Sequence, residues 1–271
     1  MKLPLLTEAL AQRLQQAETD YFSSRISSIG ERANNPEGVD ISTFGNTTAY
    51  YIKTMPWGLF NSVKGLSDKD TDKVESIIAF YRERDRKPQI DIDPAGSSAK
   101  LLRTMAKSGL IQEGFHSFLY GLPLAELPTA PAYIDIHEIT DAQEFDLYAE
   151  VHCIASGMSI AHKHHFLNNN RGLLHRQGWK LFLAYVDQTP AAVAAMHFSR
   201  GIASCALAAT LPSYRNRGLQ TALLHRRMHE AFKADCELVS AQASFASTSQ
   251  HNMERVGMRL AWTRAVWTLL N

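Results

Sequence analysis

The stretch from Ala208 to Leu224 carries the clearest chemistry in the chain, and its centre reads Pro212-Ser213-Tyr214-Arg215-Asn216-Arg217-Gly218. Residues 202–211 before it are strand formers, and Pro212 stops that strand because it offers no N–H to a neighbouring ladder. Residues 219–233 after it are an unbroken run of helix formers. A strand, a tight basic loop and a helix opening, in that order, make a cradle for an anion. The first-turn N–H groups have no partner inside the helix, and the helix dipole favours negative charge there. Gly218 lets backbone approach a ligand closely, while Arg215 and Arg217 add charge at the rim. The same pattern also fits a plain strand–loop–helix connection with solvated arginines, so the loop alone does not decide.

Other chemistry-bearing residues are sparser. His162 and His165 stand three apart with His164 beside them, but no Cys or carboxylate follows at a ligand spacing. A surface loop or the lining of a second substrate site is expected there, and no metal. Asp91 and Asp93 share one face of a short strand and are read as a solvated face rather than a working carboxylate pair. Cys153, Cys205 and Cys236 are an odd set in apolar segments, which suits buried thiols in a reducing compartment.

Bulk properties narrow the class. The 271 residues are 45% apolar and 20% charged, enough for a sizeable core in one large or two ordinary domains. A net charge of +1 argues against a general nucleic-acid binder. The N-terminus turns polar by Thr7 and Glu8, and no run reaches the roughly 18 apolar residues of a membrane span. A cytoplasmic protein without membrane or nucleic-acid partners is expected, as a monomer or homodimer.

The elements that must hold the basic loop are legible from periodicity. A helix capped by Thr7 carries Leu10, Leu14, Ala17 and Phe22 and is over before Asn34-Asn35-Pro36. Strands over 39–44 and 47–54 flank Gly45-Asn46 as a hairpin, and 60–66 adds a short strand. A second helix shows Val74, Ile77, Ile78 and Tyr81, and 87–94 alternates as a half-buried strand. A third helix, capped by Ser97 or Ser98, carries Leu101, Leu102 and Met105, and strand 111–122 follows with Phe115, Phe118 and Tyr120 inward. Residues 124–131, with two prolines, form the best boundary, giving domains 1–123 and 131–271.

The second half opens with a strand around 133–139 and a helix capped by Asp141 with Glu144 as its reciprocal partner. A short histidine-rich helix ends before 168–172, which cannot be regular helix. Strands 179–186, 191–198 and 202–211 feed the cradle, and the alanines 191, 192, 194 and 195 imply a closely approaching helix. The helix from Leu219 buries Leu224, Met228, Ala231 and Phe232, leaving Arg226, Arg227 and Glu230 to water. A strand at 236–243, a helix capped by Ser247, Thr248 or Ser249 and ending at Gly257, and a strand 259–269 close the chain.

Two features together resemble the GNAT acyltransferase superfamily: the run Thr210-Leu211-Pro212-Ser213-Tyr214-Arg215-Asn216-Arg217-Gly218-Leu219-Gln220, and the Asn252-to-Gly257 helix leading through Met258 into the Trp262 strand. Arg215 and Gly218 match the acetyl-CoA signature, while Gln220 stands where the superfamily usually has Gly or Ala. The likeness covers roughly Tyr133 to Trp267, and the first half is similar in element order to the degenerate N-terminal halves of tandem GNAT proteins. It implies a GNAT fold, an α/β arrangement of a mixed, mostly antiparallel sheet flanked by helices, with a degenerate GNAT-like α/β half packed against it.

That resemblance further implies an acetyl-CoA-dependent N-acetyltransferase acting by direct attack in a ternary complex, on a small-molecule or protein amine. Thr210, Leu211, Arg215, Asn216, Arg217, Gly218, Leu219, Gln220, Thr221 and Asn252 would hold the cofactor. The fourth strand would splay from the fifth so that the pantetheine arm lies in the gap. Many relatives carry a tyrosine acid four residues before the helix-ending glycine, and that position is Met253. Ser249 or Asn252 would then stabilise the thiolate, and His197 or Glu150 would serve as base. The alternative is a non-catalytic acyl-CoA-binding module, which Met253 and Gln220 favour.

Overall fold

The computed structural model describes Lys2 to Leu270. The first half runs α1 (Glu8–Gly30), β1 (Val39–Phe44), β2 (Thr47–Ile52), β3 (Ser62–Lys64), α2 (Val74–Arg82), β4 (Gln89–Ile92), α3 (Ala99–Lys107) and β5 (Leu110–Gly121). The second runs β6 (Ile134–Glu138), α4 (Ala142–Ala155), α5 (Lys163–Asn170), β7 (Trp179–Val186), β8 (Thr189–Ser199), β9 (Ile202–Thr210), α6 (Leu219–Lys233), β10 (Leu238–Ser244), α7 (Thr248–Arg255) and β11 (Arg259–Leu269). The caps are those the sequence implied. Thr7 Oγ1 accepts from Leu10 N, Ser98 Oγ from Lys100 N, and Asp141 from Gln143 N and Glu144 N. No described helix is long and apolar enough to cross a membrane.

The first half runs helix, three strands, helix, strand, helix, strand, and the second repeats that order after an extra leading strand, β6, with two helices, α4 and α5, where the first half has α1. The strands joined by the middle helix pair in parallel in each case, β3 with β4 and β9 with β10, while the hairpins before them are antiparallel. A helical crossover is what a parallel pair requires, because a tight turn cannot return the chain in the same direction. The result is the mixed, mostly antiparallel α/β architecture expected.

The chain forms two compact units that do not follow a single cut. An N-terminal unit holds Leu6–Phe118 together with the segment from Ala261 onward; a C-terminal unit holds Leu119–Leu260 with the stretch that ends at Leu5. Residues 124–131, the proline-bearing stretch read as the boundary, lie inside the C-terminal unit, where Leu124 N donates to Met228 O. The N-terminal unit is completed by β11, which pairs antiparallel with β4 through Ala265↔Ile92, Val266↔Asp91 and Trp267↔Ile90.

Inside the N-terminal unit, Asp91 and Asp93 are not a solvated face. Lys64 Nζ lies 2.8 Å from Glu18 Oε1 and 2.6 Å from Asp91 Oδ2. Arg264 grips Asp93 with Nε at 2.7 Å and Nη2 at 2.8 Å, and also binds Glu18. The partners come from α1, β3 and β11, so nothing local to the strand could reveal them. Burial alone would raise the Glu18 carboxyl, but the charges of Arg264 and Lys64 outweigh it and hold the group well below the usual carboxylate range. The strand itself does not alternate as a half-buried strand: Ile90, Asp91 and Ile92 are all buried.

Three other expectations are corrected. Phe115 is 62% exposed while Phe118 and Tyr120 are buried; positions 115 and 118 lie on opposite faces of any regular strand. On α6, Phe232 is 49% exposed, whereas Arg227 and Glu230 are buried. Arg227 stays inside by donating to Leu223 O and Ala195 O, and Glu230 by binding Lys180 and Arg226. Residues 168–170 are helical after all, since α5 runs to Asn170, whose Nδ2 donates to Phe166 O.

In the C-terminal unit the strands lie in the order β6-β7-β8-β9-β10. The alanines of β8 are fully buried, and both α4 and α6 pack against that strand, the close approach that small side chains permit.

Candidate functional site

β9 is the rail on which the site is built. It pairs with β8 through Val193↔Ala209 and Ala192↔Thr210 at one end and Ala195↔Ala206 below, with a bulge between. At the bulge Leu207 takes φ +47, a left-handed conformation costly for a branched side chain, and Tyr148 Oη on α4 donates to its carbonyl at 3.2 Å. On its other side β9 pairs with β10 only over Ile202–Ser204, against Leu238, Val239 and Ser240. Beyond Ser204 the two strands are no longer paired, and Ala208, Ala209 and Thr210 line a cavity of about 750 Å³.

The basic loop closes that cavity at the head of α6. Leu211 N donates to Ala191 O, and a 3-10 turn over Pro212–Tyr214 follows. Asn216 and Gly218 then adopt φ +62 and +82. Gly218 is the N-cap of α6, and a Cβ built on it would meet nothing within 4 Å, so it is the backbone angle that calls for glycine. The first helical N–H to find its backbone acceptor is that of Ala222, which bonds Gly218 O. The amides of Leu219, Gln220 and Thr221 therefore stand at the cavity as first-turn donors. Arg215 lies across the opening, with Nη2 3.2 Å from Ala155 O and Nε 3.4 Å from Thr210 O.

Most residues expected to hold a cofactor meet here: Thr210, Arg215, Asn216, Gly218, Leu219, Gln220, Thr221 and Asn252 line the cavity, as does Ser249. Leu211 and Arg217 do not line it. Arg217 lies over the Tyr214 ring at 5.1 Å, and its carbonyl accepts from Tyr133 Oη. The two residues expected as base are elsewhere. His197 is buried beside Trp179, ring centroids 5.1 Å apart, and lies four residues along β8 from the lining residue Val193, roughly 13 Å. Glu150 is outside the lining, with its Oε2 3.3 Å from Lys163 Nζ, which also binds Asp146 at 2.7 Å. Met253, at the position of the expected tyrosine, is buried in the apolar core.

The sequence reading missed Ala155 and Ser156 at the end of α4, and Thr248 and Arg255 on α7. A signal for Arg255 existed, since 248, 252 and 255 recur at helical spacing and share the face of Asn252. Burial pushes the thiols of Cys153 and Cys205 up, which disfavours the thiolate. Among the described residues no group of three or more His, Cys, Asp and Glu could hold a metal.

No protein-family model matches the sequence, and no curated protein matches it. Solved structures do resemble the fold. A GCN5-related N-acetyltransferase from Kribbella flavida aligns with TM-score 0.71 at 15% identity, covering 97% of this chain and 96% of that one. Another from Sphaerobacter thermophilus gives 0.62 at 13%, over 98% and 96%. A tandem GNAT protein from the clavulanic acid biosynthesis pathway gives 0.61 at 10%, over 97% and 96%. The chain has the fold of the GCN5-related N-acetyltransferases.

Proposed function

We propose that the protein is an N-acyltransferase that carries acetyl from acetyl-CoA to an amine, held in a ternary complex and attacking the thioester directly. The observation that carries this reading is the open cavity at the head of α6, where left-handed Asn216 and Gly218, three first-turn amides and Arg215 converge. Successive N–H groups in such a turn form a concave anion site, and a diphosphate suits it. The parting of β9 from β10 continues the same cavity along Ala208 and Ala209, and the freed strand edge can receive an extended amide-bearing arm as a further strand would be received.

Catalysis on this reading is mostly positioning. The amine adds to the thioester carbonyl, a β9 N–H at the parting stabilises the oxyanion, and the C–S bond breaks to release thiolate. Ser249 and Asn252 on the cavity wall are the donors nearest in kind to that sulfur-side role. With His197 buried and Glu150 bound to Lys163, we assign the amine's proton to water. The acceptor is a small-molecule or protein amine, and the protein works in the cytoplasm as a monomer or homodimer.

A second reading, a non-catalytic acyl-CoA-binding module, is favoured by one observation: the tyrosine position is a buried methionine, and a thioether cannot donate a proton. Calorimetry with acetyl-CoA, followed by a thiol-release assay across amine acceptors, separates the two. Binding with thiol release supports the enzyme; binding without release from any amine supports the module; no binding removes both.

A further inference from the structure

The residue that departs from the superfamily pattern, Gln220, is the start of a directed chain of hydrogen bonds along the cavity wall. Asn252 Nδ2 donates to Gln220 Oε1 at 2.7 Å, and Arg255 Nη1 donates to Asn252 Oδ1 at 2.8 Å. All three residues line the cavity.

The direction of that chain is dictated by chemistry at one end. A guanidinium has only donors and never loses its proton, so the Asn252 atom facing Arg255 must be the carbonyl oxygen. The Asn252 amide nitrogen then faces Gln220, and Gln220 must answer with its own carbonyl oxygen. What remains to Gln220 is Nε2 with two N–H donors. Gln220 is the second residue of α6, beside the first-turn amides at the cavity.

We propose that Arg255 acts as a positioning residue: through Asn252 it fixes the Gln220 amide so that its N–H2, not its carbonyl, is presented to the bound diphosphate as an additional donor. This rests on the acyl-CoA reading above. A side chain in place of glycine or alanine thus adds a reader of the anion instead of obstructing it. A free glutamine could present either end; a chain closed by arginine permits one.

The test is a double-mutant cycle read by calorimetry with CoA on the full-length chain, with melting curves checked for each variant. Gln220→Ala removes the donor, and a hydrogen bond to a charged group is worth about 1.5–3 kcal/mol, so binding should weaken about tenfold or more. Gln220→Glu, which can only accept from Asn252 and brings a carboxylate to the phosphate, should weaken binding further than alanine. Arg255→Glu replaces a positive charge on the cavity wall by a negative one and also reverses the chain, since Asn252 would turn its amide nitrogen to the new carboxylate and Gln220 its carbonyl to the cavity. The loss on Arg255→Glu should therefore be about tenfold larger with Gln220 present than in the Gln220→Ala background. Equal losses in the two backgrounds would mean that Arg255 acts through its own charge alone, and would overturn the proposal. Unchanged binding in Gln220→Ala would overturn it as well. A wild-type chain that binds no CoA would defeat the acyl-CoA reading and this inference together.

Discussion

Two loops of this molecule occupy the same place in a repeated order of elements, each leading from a strand into the helix that crosses to a parallel strand. Before α6 the loop reads Arg215-Asn216-Arg217-Gly218, and its helix opens on a cavity. Before α2 it reads Ser67-Asp68-Lys69-Asp70-Thr71-Asp72 and runs through a 3-10 helix. There the carboxylates do the work of filling. Asp70 Oδ2 accepts from Asn46 N at 3.0 Å and Thr47 Oγ1 at 2.9 Å, and Asp68 Oδ1 accepts from Ser98 N and Ser98 Oγ. A Cβ on Gly45 would lie 2.0 Å from Asp70 Oδ1, so the carboxylate occupies space up to the neighbouring turn. One loop leaves first-turn donors facing a cavity, and the other turns its acids onto donors of the neighbouring hairpin and of the α3 cap. On the function proposed above, the element order sets where a helix opens, and the sign of the loop's side chains decides whether an anion is received there.

If that division holds, charge removed from the N-terminal unit costs stability and leaves CoA binding alone, and charge removed from the basic loop does the reverse. The largest effect should come from Arg264→Ala, which leaves Glu18 and Asp91 to Lys64 and takes from Asp93 its ion pair, with the Trp262 N–H still donating to it. Breaking a buried ion pair from one side costs about 3–5 kcal/mol. Urea unfolding should show that loss while the CoA dissociation constant stays within about twofold of wild type, taking mutational noise as roughly ±0.5 kcal/mol. A variant as stable as wild type would break the comparison at its acidic end.

Arg215→Ala tests the basic end. Its guanidinium spans Thr210 O and Ala155 O at the cavity mouth, both weak partners that a phosphate oxygen would outcompete. Losing a charge-assisted contact of about 1.5–3 kcal/mol should weaken CoA binding about ten- to a hundredfold, with the melting temperature nearly unchanged. A fall in stability with binding intact would reverse the roles assigned to the two loops.

How much of this was legible depends on how far apart the partners lie. The cradle could be read because everything it needs is local: Pro212 ends a strand, Gly218 caps a helix, and residues 219–233 carry helical periodicity to the bounds observed. The hairpin around Gly45 and the caps Thr7, Ser98 and Asp141 were readable for the same reason. The setting of Asp91 and Asp93 is not legible because their partners are Lys64 and Arg264, and a strand's own pattern cannot report a cation brought from the far end of the chain. Arg227 and Glu230 look solvent-facing because charge alone signals exposure, whereas Leu223 O and Ala195 O receive the guanidinium and Lys180 pairs with the carboxylate. His197 and Glu150 are residue types suited to a base, but residue type carries no position, and neither lines the cavity.

Glu230 gives a pH-dependent version of the comparison within the C-terminal unit. Burial would raise its carboxyl, but hydrogen bonds from Lys180 and Lys233 and the charges of Lys180 and Arg226 bring it down to about 2. A depressed folded pKa contributes stability that is complete above the unfolded value of 4.5 and is lost as pH falls toward about 2. Because Lys180 and Lys233 are partly solvated, the contribution is about 1–2 kcal/mol. Glu230→Gln should lower stability by that amount at pH 7 and flatten the acid limb between about pH 4.5 and 2.5 in urea titrations. An acid limb of unchanged slope would mean that Glu230 is not held by these cations.

The smallest effect sharpens the acidic loop itself. Asp68 is exposed, and its Oδ1 accepts from Ser98 N at 3.0 Å and Ser98 Oγ at 2.8 Å, steadying the residue that caps α3. Ser98 keeps its own bond to Lys100 N without it. Asp68→Ala should therefore cost about 0.5–1 kcal/mol, the lower part of what a helix cap is worth, and a shift of a few degrees in melting temperature would report it. The informative part is what does not happen: with Asp70 still filling the turn at Gly45, the variant should gain no affinity for CoA or inorganic phosphate. Anion binding appearing in Asp68→Ala would mean that the acidic loop is a cradle held shut by one charge, and that the two loops differ by less than their sequences imply.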